Sequence, residues 1–158
     1  MKVGDTIDGN GRIGAIIKHG NSGFLVTVAH AIKQGVKVYR CKGIKCKLVE
    51  VIKDYDLAII KVPCEIEPSI IGLAEFGEAD LITSDKKIPC RIVNTGKTLH
   101  FISFPCGNMP DLGDSGAPIF QNKKIVGILS SILFNNCSGI AISSNVLEML
   151  KMSKVYVL

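Results

Sequence analysis

Three polar residues of this chain carry the groups that acyl transfer requires. Ser115 lies in the segment GDSGAP, His30 follows an apolar run, and Asp56 precedes another. A serine hydroxyl becomes a good nucleophile when a base accepts its proton, and a carboxylate can orient a histidine that serves as this base. The residue types therefore predict a nucleophile, a general base and an orienting acid, in the chain order His, Asp, Ser.

This order and the segments around the three residues resemble the chymotrypsin/trypsin family of serine proteases. The segments are VAHA at residues 28–31, DLAII at 56–60 and GDSGAP at 113–118. Subtilisin and the α/β-hydrolases carry the same groups in other orders. Each residue alone is commonplace in turns, caps or strand edges, but together and in this order they favour catalysis. The resemblance implies a serine endopeptidase of the compact bacterial or viral type.

The resemblance also implies a role for each site residue. His30 would be the general base, Asp56 its orienting carboxylate and Ser115 the nucleophile, with the amides of Gly113 and Ser115 forming the oxyanion hole. Asp54 competes with Asp56 for the second role. Asp56 is preferred because the apolar run LAII follows it immediately.

Substrate specificity is inferred by position relative to Ser115. The resemblance places Met109 at the floor of the specificity pocket and the following residues on its walls: Ser130, Ser131, Ile132 and Gly139. Because trypsin-like cleavage after Lys or Arg uses an aspartate at the floor, Met109 predicts a neutral, apolar or small residue before the scissile bond. The alternative is that Met109 fills the core and Asp111 enters the pocket.

Asp114 precedes the nucleophile and, in the trypsin branch, its counterpart pairs with a new N-terminus made by cleavage. This chain begins MKVG, which does not resemble the activation site IVGG. We therefore expect Asp114 to have another partner, and the enzyme to be active as made or switched by other means.

Six cysteines occur, at positions 41, 46, 64, 90, 106 and 137, with no CxxC pair of the kind that structural zinc sites use. The resemblance implies a disulfide between Cys106 and Cys137, which would tie the loop before the serine to a pocket wall; two buried thiols are the alternative. A four-residue loop could place Cys41 and Cys46 across a hairpin. No metal and no cofactor are expected.

Short apolar runs separated by Gly, Asn, Asp and Pro predict an all-β protein, and the resemblance implies two antiparallel six-stranded β-barrels. The predicted strands cover residues 13–18, 24–29, 36–40, 47–51, 57–62, 87–93, 99–104, 117–120, 124–130 and 139–143. We expect an N-terminal barrel at 1–66 with His30 and Asp56, a connection at 67–80 and a C-terminal barrel at 81–158 with Ser115. Residues 122–123 predict a hairpin turn, and residues 146–152 a short helix.

The chain has 158 residues, 47% of them apolar, and a net charge of +5 that is spread along the sequence. This composition predicts a globular domain whose partner is a protein or peptide substrate, and argues against nucleic acid. No run approaches the roughly 18 apolar residues of a membrane span, and no signal peptide is visible. We therefore expect no membrane partner and a cytoplasmic or virus-encoded intracellular protein, of open oligomeric state.

Two other functions remain open at this point. The small size and the segment GDSGAPIF also resemble viral polyprotein-processing proteases, in which the apolar tail 154–158 could occupy its own pocket after self-cleavage. A catalytically silent binding module with a protease-like fold is the other alternative. It is disfavoured because every residue of the expected triad and oxyanion hole is present.

Overall fold

The computed structural model describes residues 1–8 and 11–152, so the tail 154–158 lies outside the described residues. The N-terminal half forms one antiparallel sheet in the order β1-β2-β5-β4-β3. Its strands are β1 (Ala15–His19), β2 (Ser22–Val28), β3 (Val38–Cys41), β4 (Ile44–Ile52) and β5 (Leu57–Val62).

The C-terminal half closes into a six-stranded barrel in the order β10-β11-β8-β7-β6-β9. Its elements are β6 (Gly77–Ile82), β7 (Lys87–Asn94), β8 (Leu99–Ser103), β9 (Pro118–Gln121), β10 (Lys124–Leu133), β11 (Ser138–Ser143) and the helix α1 (Ser144–Met152). Alternate residues of β7 point inward, since Ile88, Cys90 and Ile92 are buried. This period of two is the pattern of a sheet with one face on the core.

The all-β prediction is confirmed, but the prediction of two six-stranded barrels holds only for the second half. The first sheet has five strands in the described part and is not closed. Instead of a sixth strand, the chain before β1 forms a single bridge between Thr6 and Arg12 and donates the amide of Asp8 to the carbonyl of Arg40 on β3. The edges of β1 and β3 therefore do not pair with each other.

Strand β6 was not predicted, because the sequence pattern restarts only at Ile82. It begins at Gly77, inside the stretch expected to connect the halves, and buries Ala79 and Leu81. Two inward residues between polar neighbours give too short an alternation to recognise. The division at 1–66, 67–80 and 81–158 stays a prediction.

One apolar cluster joins the two halves. Val28 and Leu57, at the ends of β2 and β5 that carry His30 and Asp56, share it with Ile128 of β10 and Leu147 of α1. All four side chains are fully buried. The shared core fixes the two halves relative to each other where the predicted site residues meet.

The predicted hairpin and helix are confirmed. Asn122 and Lys123 have φ values of 51° and 64° and connect β9 to β10, as a two-residue turn between twisted strands requires. In α1, the amide of Asn145 donates to Oγ of Ser143. None of the helices in the described ranges is long and apolar enough to cross a membrane.

The disulfide between Cys106 and Cys137 is present, as the resemblance implied. Cys41 and Cys46 are free thiols buried in the core of the first sheet, and burial raises the pKa of Cys41 to about 12. The disulfide connects the loop before Ser115 to the start of β11, so that it braces the segment that carries the predicted nucleophile.

Removing this disulfide is expected to lower the free energy of unfolding by about 3 to 4 kcal/mol, since the cross-link restricts the unfolded chain. The two cysteines are 31 positions apart. Urea denaturation of the double variant Cys106→Ser/Cys137→Ser measures the loss, with Cys64→Ser, an exposed free thiol, as the control. Equal stability of the double variant and the control would contradict the prediction.

Candidate active site

His30 and Asp56 are held together by the ends of two buried, paired strands. His30 lies in a single 3₁₀ turn directly after β2, and its side chain is 49% exposed. Asp56 immediately precedes β5 and has a left-handed backbone with φ 53°. The amide of Ala29 donates to the carbonyl of Asp56 at 2.9 Å, which fixes the two backbones before any side chain is considered.

The carboxylate of Asp56 accepts three hydrogen bonds. The backbone amide of His30 donates to Oδ1 at 2.9 Å, Nδ1 of His30 lies 2.7 Å from Oδ2, and Oγ of Ser130 donates to Oδ2 at 2.6 Å. An ionised carboxylate only accepts, so Nδ1 carries the proton. In the neutral imidazole, the other ring nitrogen, Nε2, then has the free lone pair. The competing residue Asp54 is exposed.

Ser130 makes a contact that the sequence analysis did not predict: its hydroxyl binds Asp56, a residue 74 positions away. Its place on a wall of the specificity pocket stays a prediction. No local pattern in the sequence signals this contact. The hydrogen bond helps to hold the carboxylate in the plane that the imidazole needs.

Ser115 lies directly after a 3₁₀ turn formed by residues 112–114 and is buried. Its carbonyl accepts the amide of Arg12 at 2.8 Å. Gly116 has φ 91°, and a Cβ there would lie 2.5 Å from the carbonyl oxygen of Arg12 and 2.6 Å from Oγ1 of Thr27, so only glycine fits. No hydrogen bond joins the Ser115 hydroxyl to His30 within the described part of the chain.

The two amides predicted to form the oxyanion hole have internal partners in this conformation. The amide of Gly113 donates to Oδ1 of Asp111 at 2.9 Å. The amide of Ser115 donates to the carbonyl of Leu112 at 3.4 Å. The assignment of these amides to an oxyanion hole stays a prediction.

Asp114 has another partner, as expected: two cationic side chains lie beside its carboxylate. It is fully buried, with Oδ2 at 2.9 Å from Nζ of Lys86 and Oδ1 at 3.6 Å from the guanidinium of Arg12. Lys86 also binds Asp111 at 3.1 Å. Hydrogen bonding to Asp114 raises the pKa of Lys86, and hydrogen bonding to Lys86 lowers the pKa of Asp111.

Arg12 and Lys86 are functional candidates that the sequence analysis missed. The only signal was the need of Asp114 for a cation, which 19 lysines and arginines could have met. Arg12 reaches the site from the segment before β1 and also binds Asp85 at 2.7 Å. The same hydrogen bond lowers the pKa of Asp85.

The residues predicted to form the specificity pocket are only partly brought together. Met109 and Ile132 are half-buried and pack against the core of the second barrel. Gly139 pairs with Ile132 across β10 and β11, and a Cβ on it would lie 3.0 Å from the ring of Phe104. Ser131 is exposed. Asp111, the alternative pocket residue, is instead held by Lys86 and by the amide of Gly113.

No protein-family model and no curated protein matches the sequence. The fold, however, is similar to solved structures of serine proteases. A glutamic-acid-specific serine protease aligns with a TM-score of 0.72 at 18% identity, over 94% of this chain and 95% of its own. Nocardiopsis protease (NAPase) aligns at 0.68 and 15%, over 94% of each chain. The NSP4 proteinase of equine arteritis virus aligns at 0.59 and 15%, over 89% of this chain and 72% of its own. The chain has the chymotrypsin-like fold.

Within this chymotrypsin-like fold, a groove of about 580 Å³ opens beside His30 and Asp56. Apolar side chains line it, together with three lysines: Ile32, Val36, Leu48 and Val51, and Lys33, Lys37 and Lys53. A larger cavity, of about 840 Å³, lies along β6 and β7, and none of the predicted site residues is among the described residues that line it. The groove is therefore the better candidate for substrate binding, despite its smaller size.

Replacing Lys86 by methionine is expected to lower the free energy of unfolding at pH 7 by about 2 kcal/mol, since it removes a hydrogen bond to a buried carboxylate. The pKa of Lys86 is raised above its usual 10.5, so its stabilisation is fully present below that pH and is lost as pH rises through the raised pKa. Denaturation of both proteins from pH 7 to 12 measures this, since the difference should begin to shrink only above pH 10.5.

The matched control is Lys87→Met, which removes the next lysine, 66% exposed and 4.0 Å from Asp80. We expect little change in stability, as for most surface ion pairs. Equal losses in the two variants, or a Lys86→Met loss that persists at high pH, would contradict the prediction.

Proposed function

We propose that this chain is a serine endopeptidase with the catalytic triad His30, Asp56 and Ser115. The observation that carries the proposal is the pairing of Nδ1 of His30 with Oδ2 of Asp56 at 2.7 Å, which leaves Nε2 as the base. Ser115 belongs to the GDSGAP segment of the other half of a fold that serine proteases share.

The proposed reaction is acyl transfer in two steps. His30 accepts the proton of Ser115 as the hydroxyl attacks the peptide carbonyl, and then donates it to the leaving amine. Asp56 stabilises the imidazolium that forms between these transfers. Water, activated by the same imidazole, then hydrolyses the acyl-enzyme. The amides of Gly113 and Ser115 are assigned to the oxyanion, and each such donor typically contributes 10²–10³ in rate.

The enzyme is proposed to be active without N-terminal cleavage. In the trypsin branch, a new N-terminus supplies the positive charge that the buried aspartate needs. Lys86 and Arg12 supply positive charge to Asp114 here, and both belong to the intact chain. The carboxylate of Asp114 is therefore buried with positive charge beside it and needs no new N-terminus.

The proposed substrate is a protein or peptide with a neutral, apolar or small residue before the scissile bond. Met109 and Ile132 support this preference, since both side chains are apolar and pack, half-buried, against the core of the second barrel. Ser130, Ser131 and Gly139 are retained as wall residues. The groove beside His30, with a volume of about 580 Å³, has room for further side chains of a bound peptide.

Active-site labelling tests the proposal. A fluorophosphonate reacts with a serine only when a neighbouring base activates it, so we expect one adduct on the wild-type protein by intact mass and none on Ser115→Ala. Peptide mapping should place the adduct on Ser115. Absence of labelling on a folded wild-type protein would reject the triad and favour the silent binding module.

A further inference from the structure

The groove beside His30 and Asp56 carries charge of mainly one sign. Of the described residues that line it, Asp56 is the only acid, and three are lysines: Lys33, Lys37 and Lys53. Both carboxylate oxygens of Asp56 already accept hydrogen bonds, from His30 and Ser130. The three ammonium groups, in contrast, form no ion pair within the part of the chain that the structure describes. This lysine groove therefore places uncompensated positive charge next to the proposed base.

Short turns fix two of the lysines relative to the proposed catalytic residues. Lys33 lies three residues after His30, just beyond the 3₁₀ turn Ala29–Ala31. Lys53 begins the 3₁₀ turn that precedes Asp56, and the amide of Asp56 donates to the carbonyl of Lys53 at 3.2 Å. A substrate side chain that binds in the groove therefore belongs to a residue close to the scissile bond.

The segment with Lys33 and Lys37 is anchored to the core of the first sheet. The amide of Val36 donates to the carbonyl of Lys33 at 3.2 Å, and Gly35 has φ 81°, as the third residue of a type II turn requires. The hydroxyl of the buried Tyr39 lies 3.0 Å from the carbonyl oxygen of Val36 and 3.3 Å from that of Lys33. Because this backbone is already ordered, binding there loses little conformational entropy.

The apolar part of the lining suits the methylene groups of an acidic side chain. Ile32 and Leu48 are half-buried and pack on the core of the first sheet, whereas Val36 and Val51 are 38% and 37% exposed. A carboxylate that reaches the ammonium groups across this apolar surface is partly removed from water, so that their attraction is screened less than in open solvent. A lysine or arginine in the same place would be repelled.

The larger cavity along β6 and β7 lacks this separation of charge. Its lining includes the acids Glu78 and Asp80 as well as the bases Lys87, Arg91 and Lys123. The excess of lysines is therefore a property of the groove beside His30, and not of every concave surface of this positively charged chain.

We propose that the lysine groove is a subsite for an acidic side chain, so that the endopeptidase prefers substrates with glutamate or aspartate close to the scissile bond. The residues that determine this preference are Lys33, Lys37 and Lys53. The inference rests on the proposed endopeptidase function and adds a second determinant to the apolar preference assigned to Met109 and Ile132. Glutamate should be preferred to aspartate, since its additional methylene group buries more apolar surface on the lining.

The test uses a synthetic peptide library that is randomised at every position, and mass spectrometry of the products identifies the residues around each cut. At low ionic strength, we expect glutamate and aspartate to be enriched about fivefold over glutamine and asparagine at one position within about three residues of the scissile bond. The enrichment should fall to about twofold or less in about 0.5 M NaCl, because salt screens exposed ammonium groups.

Removing the three charges tests the subsite directly. The groove variant is Lys33→Met/Lys37→Met/Lys53→Met, in which side chains of similar length remain but the ammonium groups are absent. We expect it to lose the enrichment of acidic residues. Enrichment that persists in this variant, or cleavage by the wild type without any preference for acidic residues, would overturn the inference while leaving the endopeptidase proposal intact.

The matched control replaces three exposed lysines that do not line the groove, in the variant Lys18→Met/Lys45→Met/Lys97→Met. It lowers the net charge of the protein by the same amount as the groove variant. We expect the control to keep the enrichment. Equal loss in both variants would overturn the inference, since the preference would then come from the charge of the whole protein.

A second measurement does not depend on cleavage. Isotope-labelled Ser115→Ala is titrated with the blocked pentapeptide Ala-Val-Glu-Leu-Ala and with its glutamine counterpart, and NMR follows the backbone amides. We expect the amides of residues 33–37 to shift, with a half-saturating concentration about fivefold lower for the glutamate peptide. Equal concentrations, or shifts confined to other residues, would overturn the inference. Selective binding of the glutamate peptide, together with no cleavage by the wild type, would support the subsite but reject the proposed function.

Discussion

Replacing Ser115 by alanine is expected to lower kcat for peptide hydrolysis by about 10⁶-fold, the cost of removing the nucleophile from a triad that acts as a unit. Little else should change. The serine side chain makes no hydrogen bond to another described residue, and the backbone contacts of residue 115 with Arg12 and Leu112 are independent of the side chain. Turnover of a denatured protein substrate, followed by peptide release, measures the effect.

The control for this loss is Ser103→Ala, which removes an exposed serine hydroxyl from β8 and should leave kcat unchanged. Thermal unfolding of Ser115→Ala should match that of the wild type, which excludes loss of fold as the cause. If Ser115→Ala retained its turnover, the nucleophile assignment would be wrong.

Replacing Asp56 by asparagine is expected to lower kcat by about 10⁴-fold with only a small change in KM. The amide group of asparagine can donate to Nδ1 of His30, which would then have to accept. The proton would move to Nε2, and the imidazole would no longer be a base towards Ser115. Because asparagine has nearly the same shape, the His30 amide keeps an acceptor oxygen at the position of Oδ1. The asparagine NH2 takes the position of Oδ2, so the hydroxyl of Ser130 would accept there instead of donating.

Asp54→Asn is the matched control, since Asp54 lies two residues away in the same 3₁₀ turn region and is exposed. It should keep wild-type kinetics. A separate measurement of Asp56→Asn by NMR of the His30 ring nitrogens should show the exchanged tautomer. Equal kinetic losses at both positions would argue against the assignment of Asp56 and for a general effect of charge.

Local sequence patterns predicted most of the fold. Short apolar runs bounded by turn residues identified ten of the eleven strands in the described part, apart from shifts at their ends, because a strand that packs on a core needs apolar side chains. The pattern failed at β6, which buries only two side chains. It also could not show that the first sheet stays open, since closure depends on whether β1 and β3 meet across the molecule.

Local sequence patterns likewise predicted one part of the candidate site and missed another. GDSGAP, the histidine at the end of β2 and the aspartate at the start of β5 are local features, because each can be recognised from a few neighbouring residues in the sequence. The sequence by itself thus determined the proposed chemistry, the fold class and, through the family resemblance, the disulfide. The structure adds that His30 selects Asp56 and not Asp54.

Only the tertiary structure decided how these groups are supported. Lys86, Arg12 and Ser130 reach Asp114 and Asp56 from distant parts of the chain, and the tightest of these contacts span 28 and 74 positions. Such partners leave no periodic signal, because a lysine or serine that binds a buried carboxylate has the same sequence neighbours as one in solvent. The state of loop 111–115 is likewise decided in three dimensions, since it depends on which acceptor each amide finds once the two halves have packed.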